Sequence, residues 1–167
     1  MIKAVFLDID GVLTDGKVTI NASGEEAKTI SYDDIDAIFE LKRLGIKIGF
    51  LTGEDNHFTR YVKRRFLPDF FSAGCKDKLN TFKTLIAEAS LNASEVCYVG
   101  DSKKDISLLE YLEHSFAPSN AIVEARAAAK TTLRATRGEG VVKEILEHIS
   151  HPRRDKRKTN GRKNRIL

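Results

Sequence analysis

Ala4-Val5-Phe6-Leu7-Asp8-Ile9-Asp10-Gly11-Val12-Leu13-Thr14-Asp15-Gly16 is the stretch that decides the fold. A short apolar run, Val5-Phe6-Leu7, ends in two carboxylates spaced i and i+2, and Gly11 lets the backbone turn sharply just beyond them. The segment lacks the long apolar stretch of a secretory leader and carries acids where that stretch would lie, so it reads as a first strand. Two further apolar runs follow, Lys47–Leu51 and Val96–Val99. Helical spacing of apolar residues predicts helices over 36–44, 78–89, 105–112 and 140–149. Strands alternating with helices predict an α/β fold, a Rossmann-like three-layer sandwich around a central parallel sheet with right-handed crossovers.

Residues 15–31 interrupt the alternation. Lys17-Val18-Thr19-Ile20 and Ala27-Lys28-Thr29-Ile30 flank Asn21-Ala22-Ser23-Gly24, which predicts a β-hairpin with a glycine-containing loop. It would stand at the carboxyl edge of the sheet, where open α/β sheets bind ligands, as a flap over a site. Between Gly16 and Thr52 there is room for this hairpin and one helix, not for a cap domain. Between Thr52 and Lys78 there is room for one helix and a short strand.

The chain of 167 residues has the length of one domain with a proper core. Its net charge of +4 belongs to the end of the sequence: residues 151–167 hold eight of the 28 Lys and Arg and a single Asp. This divides the chain into a domain over 1–150, which carries −3, and a basic C-terminal tail over 151–167. The tail has no aromatic residues and no periodic apolar face, so it reads as a solvated terminus, with nucleic acid an unfavoured partner. No apolar stretch approaches the roughly 18 residues that span a membrane. Cys75 and Cys97 form neither a disulfide framework nor a zinc pattern, and a cytoplasmic location fits them best.

Four chemical features fall at strand ends: Asp8-Ile9-Asp10-Gly11; Thr52-Gly53; Lys78 at a helix start; and Gly100-Asp101-Ser102-Lys103-Lys104-Asp105. Each alone is an ordinary turn or cap. In a parallel sheet all four converge on one edge, and together they supply what phosphoryl transfer needs. A carboxylate, Asp8, can attack phosphorus. Asp8 and Asp101, with the Asp10 carbonyl, offer oxygens to a Mg²⁺ ion. Lys78 balances charge, Thr52 donates to a phosphate oxygen, and Asp10 protonates the leaving alcohol and then activates water.

These motifs resemble those of the haloacid dehalogenase superfamily of phosphatases: Asp8 to Thr14, Thr52, Lys78 and Gly100 to Asp105 match its four motifs in order. Asp10 to Gly16 followed by a hairpin, and the late stretch Arg137-Gly138-Glu139-Gly140-Val141-Val142-Lys143-Glu144, are similar to the cap-less 3-deoxy-D-manno-octulosonate (KDO) 8-phosphate phosphatases. The resemblance implies support for the site from Asp105, Ser102 and Gly53, and substrate contacts at Thr14, Asp15, Gly16, Asp34, Glu54 and Arg60. It also implies a homotetramer in which a neighbouring subunit helps close the site. Glu54 and Glu139 stand where the KDO 8-phosphate enzymes usually have arginine, which is closer to the phosphatases of nine-carbon sugar acids. KDO 8-phosphate, the commonest substrate among the proteins the chain resembles, is the leading expectation, with a nonulosonate 9-phosphate second. A non-catalytic oligomerisation module and a nucleic-acid 3′-phosphatase are the rivals from other classes.

Overall fold

In a computed structural model, which describes residues 1–151, strand β1 (Ala4–Leu7) is buried on both faces. Its alternation divides the core in two: Val5 and Leu7 join one apolar cluster, Ala4 and Phe6 the other. This is the pattern of a strand in the middle of a parallel sheet, where both faces must find apolar cover. β1 pairs in parallel with β4 (Lys47–Leu51) on one side and β6 (Val96–Val99) on the other.

The six-stranded sheet has the order β5-β4-β1-β6-β7-β8 and every pairing in it is parallel, with β5 at Phe70–Ser72, β7 at His114–Ala117 and β8 at Thr131–Thr132. Helices α1 (Tyr32–Arg43), α2 (His57–Phe66) and α6 (Val141–Ser150) contribute Ile38, Leu41, Val62, Phe66 and Ile145 to the first cluster. Helices α3 (Lys78–Glu88), α4 (Ile106–Tyr111) and α5 (Val123–Ala128) contribute Phe82, Ile86, Leu108 and Ala125 to the second. The layered Rossmann-like architecture is thus the one expected from the sequence. Gly49 is required by packing: a Cβ there would lie 2.5 Å from the Phe6 ring, which stacks on Phe70 at 4.9 Å.

Local chemistry sets the helix starts. Ser31 accepts from the Asp33 amide and begins α1 earlier than the apolar spacing predicts, because a capping residue and an acidic first turn precede the periodic part. Asp77 caps α3 and so places Lys78 in its first turn. The hairpin exists but is shorter than expected: β2 is Thr19–Ile20 and β3 is Glu26–Ala27, leaving Lys28, Thr29 and Ile30 outside it. The Asn21 carboxamide oxygen accepts from the Ser23 and Glu25 amides, which closes the loop locally, and the shortfall lies at the open end of the hairpin. No helix among the described residues is long and apolar enough to cross a membrane. The predicted basic tail lies outside the described residues, apart from His151.

Candidate active site

The register brings Leu7, Phe50 and Val99 level on adjacent strands, so Asp8, Thr52 and Asp101 leave the sheet at one edge. There they line a cavity of about 540 Å³ together with Asp10, Gly16, Gly53, Glu54, Lys78 and Arg137. After β1 the backbone makes a single wide turn, with the Thr14 amide bonded to the Ile9 carbonyl at 3.1 Å. Gly11 sits in that turn at φ +84°, and a Cβ there would lie 2.0 Å from Asp101 Oδ2. Only glycine allows the loop and the Asp101 carboxylate to come so close.

At the floor of the cavity is a buried ionic chain. Lys78 Nζ lies 3.0 Å from Asp8 Oδ2 and 2.7 Å from Asp105 Oδ1. Asp105 receives further donors: the Tyr98 hydroxyl, the Asp101 and Ser102 amides and the Ser102 hydroxyl, at 2.6 to 3.1 Å. Burial opposes its charge, but Lys78 and these donors outweigh it and hold the Asp105 carboxyl below the usual range. Asp8 is less well served. Burial first, then the Asp105 charge, push its carboxyl well above the ordinary value against the pull of Lys78. Burial and then Asp105 likewise push Asp101 up to about 6.

Asp8, Asp101 and Asp105 can bring one oxygen each within 4.8 Å of one another. Asp105 is already committed to five donors, whereas Asp101 Oδ1 is buried with no hydrogen-bond partner. Asp8 carries two donors, the Ile9 amide on Oδ1 and Lys78 on Oδ2, so Asp101 Oδ1 is the open position, and Asp8 with the Asp10 carbonyl on the same turn would complete the oxygens that could hold an ion. An all-oxygen donor set around an orphaned carboxylate oxygen suits a hard divalent cation such as Mg²⁺.

Of the residues expected to touch substrate, Gly16 and Glu54 line the cavity and the other four do not. Thr14 is fully buried and its hydroxyl accepts from the Gly11 and Gly16 amides, so it shapes the turn. Asp15 accepts from the Lys17 amide at 2.8 Å and likewise folds the loop. Asp34 is fully buried and accepts from the Gly140, Val142 and Lys143 amides. It caps α6 across the fold, because Gly140, at the cap position, has no side chain to do so. Arg60 lies on the outer side of α2 beside Asp55, at 3.1 Å. The Ser102 hydroxyl donates to Asp105, and Gly53 lies in the cavity wall.

Three residues outside the expected set belong to the site. Arg137 Nε stands 2.8 Å from Asp101 Oδ2, and its loop reaches the site because Gly138 packs against Thr14 and Asp15 without a Cβ. Lys28 reaches from the hairpin to Asp10 Oδ1 at 2.6 Å. Tyr98 joins through Asp105, and its signal was its place in the strand that precedes the fourth motif.

Residues 69–145 match the model of the haloacid dehalogenase-like hydrolase family. The chain is 30% identical over 152 residues to the 3-deoxy-D-manno-octulosonate 8-phosphate phosphatase of Haemophilus influenzae, covering 89% of this chain and 82% of that one. It is also 30% identical over 155 residues to N-acylneuraminate cytidylyltransferase A of Danio rerio, but covers 35% of that protein's length. Among solved structures, a probable YrbI family phosphatase from Pseudomonas syringae superposes with a TM-score of 0.84 at 30% identity, over 89% of this chain and 84% of that one. The KDO 8-phosphate phosphatase of Moraxella catarrhalis, in complex with magnesium, phosphate and KDO, superposes with a TM-score of 0.83 at 26% identity, over 89% and 85%. With Asp8, Thr52, Lys78 and Asp101 gathered on one sheet edge and these relatives alongside, the chain belongs to the haloacid dehalogenase-like phosphatases, in the group that contains the KDO 8-phosphate phosphatases.

Proposed function

We propose that the protein hydrolyses the terminal phosphate of a 2-keto-3-deoxy sugar acid phosphate, KDO 8-phosphate first, by way of an aspartyl-phosphate on Asp8. The observation that carries the chemistry is the buried Asp8–Lys78–Asp105 chain opening on a cavity that Asp10 and Asp101 also line. In the first step an Asp8 carboxylate oxygen attacks phosphorus. The bond from phosphorus to the sugar oxygen breaks, and the Asp10 carboxyl gives that oxygen its proton. In the second step water attacks phosphorus as its proton passes to Asp10. The bond to Asp8 breaks and inorganic phosphate leaves, which restores both carboxyl groups. Lys78 holds the Asp8 carboxylate, and Asp105 in turn holds Lys78. Mg²⁺ bound by Asp8, Asp101 and the Asp10 carbonyl would neutralise the charge that builds on the phosphoryl oxygens.

The relatives' KDO 8-phosphate phosphatase names support the eight-carbon substrate. Glu54 in the cavity wall and the similarity to N-acylneuraminate cytidylyltransferases favour a second reading, a nonulosonate 9-phosphate. A homotetramer in which a neighbour completes the site, and a location in the cytoplasm, belong to the same proposal. The test is Mg²⁺-dependent phosphate release from KDO 8-phosphate and from N-acetylneuraminate 9-phosphate, with Asp8→Asn as control. A preference of about a hundredfold, equivalent to roughly 2.7 kcal/mol of transition-state discrimination, decides between the sugars. Hydrolysis of an aryl phosphate alone removes the sugar assignment and leaves the chemistry. No hydrolysis at all gives the lead to a non-catalytic module.

A further inference from the structure

Lys28 is an unusual residue for a hairpin exit. Its side chain is only 10% exposed, and its one ion pair among the described residues is with Asp10, at 2.6 Å. Its ammonium also lies 5.3 Å from the centroid of the Phe58 ring on α2, a cation–π contact that gives it a second partner. The two oxygens of Asp10 are thereby made different. Oδ1 accepts a hydrogen bond from the Lys28 ammonium, whereas Oδ2 is buried and has no hydrogen-bond partner. A carboxyl with one oxygen clamped and the other free can exchange a proton only through the free one.

We propose that Lys28 is a positioning residue for the general acid and base: it clamps Asp10 Oδ1 so that Oδ2 faces the reacting oxygens. The hairpin is then part of the catalytic apparatus and more than a cover, since Lys28 follows β3 directly and any displacement of the hairpin releases Asp10. This rests on the reading of Asp10 as acid and base, and the experiment separates the two.

The leaving group distinguishes a positioning role from a tether. A sugar alkoxide needs a proton from Asp10 to depart, but p-nitrophenolate does not, while the second step needs Asp10 with either substrate. Lys28→Met is therefore compared with the native protein on p-nitrophenyl phosphate and on whichever of KDO 8-phosphate and N-acetylneuraminate 9-phosphate is turned over faster. The expected result on the sugar phosphate is a fall in kcat of about thirtyfold or more with KM changed less than about threefold. On the aryl phosphate, a rapid burst of nearly one nitrophenolate per subunit precedes a slowed steady state. Lys28→Arg, which restores a cation, recovers most of the sugar activity. Lys28→Gln keeps much of the stem over Phe58 and carries the comparison if the methionine variant unfolds on heating. Activity within about threefold of native on both substrates overturns the proposal. A vanished burst with a raised KM also overturns it, because the cation would then bind substrate. Full activity in Asp10→Asn would instead remove the acid–base reading itself. The aryl phosphate comparison stands even if neither sugar is a substrate.

Discussion

Replacing Lys78 by methionine is the sharpest test of how the site is held together. The lysine is 3% exposed and its ammonium is shared by Asp8 and Asp105. Methionine fills much the same space, so the packing term is small and the electrostatic term dominates. Two buried carboxylates then face one another without a cation. Breaking a buried pair from one side costs about 3–5 kcal/mol, because the partner charge stays behind. At about 2–4 °C per kcal/mol for a chain of this size, the melting temperature falls by roughly 6–20 °C. The assay is thermal unfolding in a chelator, so that no divalent ion replaces the lysine. The pH dependence has a definite sign. Loss of Lys78 raises the folded-state pKa of both acids, Asp8 from an already raised value and Asp105 from a lowered one, so the folded variant binds more protons than the native protein and the deficit shrinks as pH falls. Asp105→Asn added to Lys78→Met removes one stranded charge and recovers part of the loss. A melting temperature within about 2 °C of native at neutral pH would refute the reasoning, since that is less than 1 kcal/mol.

Three further outcomes are expected. Gly11→Ala puts a Cβ 2.0 Å from Asp101 Oδ2 at φ +84°, so the carboxylate must shift by more than 1 Å; misplacement of that size lowers kcat about a hundredfold, read by phosphate release with Mg²⁺ titration. Asp34→Ala strands the Gly140, Val142 and Lys143 amides and lowers stability by roughly 2–4 kcal/mol in denaturant unfolding, although Asp34 touches no part of the cavity. Glu144 is opposed by burial, but the Ala135 and Arg134 amides hold its carboxyl below the usual range. Its contribution is therefore present above the unfolded pKa and lost as pH falls through the folded one. Glu144→Gln should flatten the acid limb of a melting-temperature profile.

The sheet and the four motifs were legible because each motif is local: an apolar run, then a polar residue, at the end of a strand. The last third of the sheet was not. β7 is four residues with Ser115 at its centre, and β8 is two threonines, so neither forms an apolar run. Ser115 is buried and its hydroxyl accepts from the Lys130 amide, which ties the chain entering β8 to β7. The misplaced substrate residues have a different cause. Asp34 and Thr14 stand near the motifs in sequence, but their oxygens satisfy backbone amides that a fold with glycine at its turns and helix starts leaves open. Arg137 and Lys28 were missed as site residues because their partners, Asp101 and Asp10, lie 36 and 18 residues away and nothing in the local pattern marks the pairing.

The charges at the site explain why all these long-range contacts are needed. Asp8, Asp10, Asp101 and Asp105 converge within one cavity and its floor, against Lys78, Lys28 and Arg137. Four carboxylates against three cations leave one negative charge, in a setting where burial already raises Asp8 and Asp101. A phosphate dianion would be repelled by that balance. On the proposed reading, a divalent cation held by Asp8 and Asp101 would turn it from one negative to one positive charge and would lower both acids, which favours the ionised form of Asp8. Lys103 and Lys104, exposed in the cavity wall, extend the positive side toward solvent. On that reading the same acids would favour binding of the ion before phosphate, and the order of addition can be tested directly. Phosphate should protect the protein against thermal unfolding when Mg²⁺ is present and much less in a chelator, whereas equal protection in both would mean that the protein cations suffice.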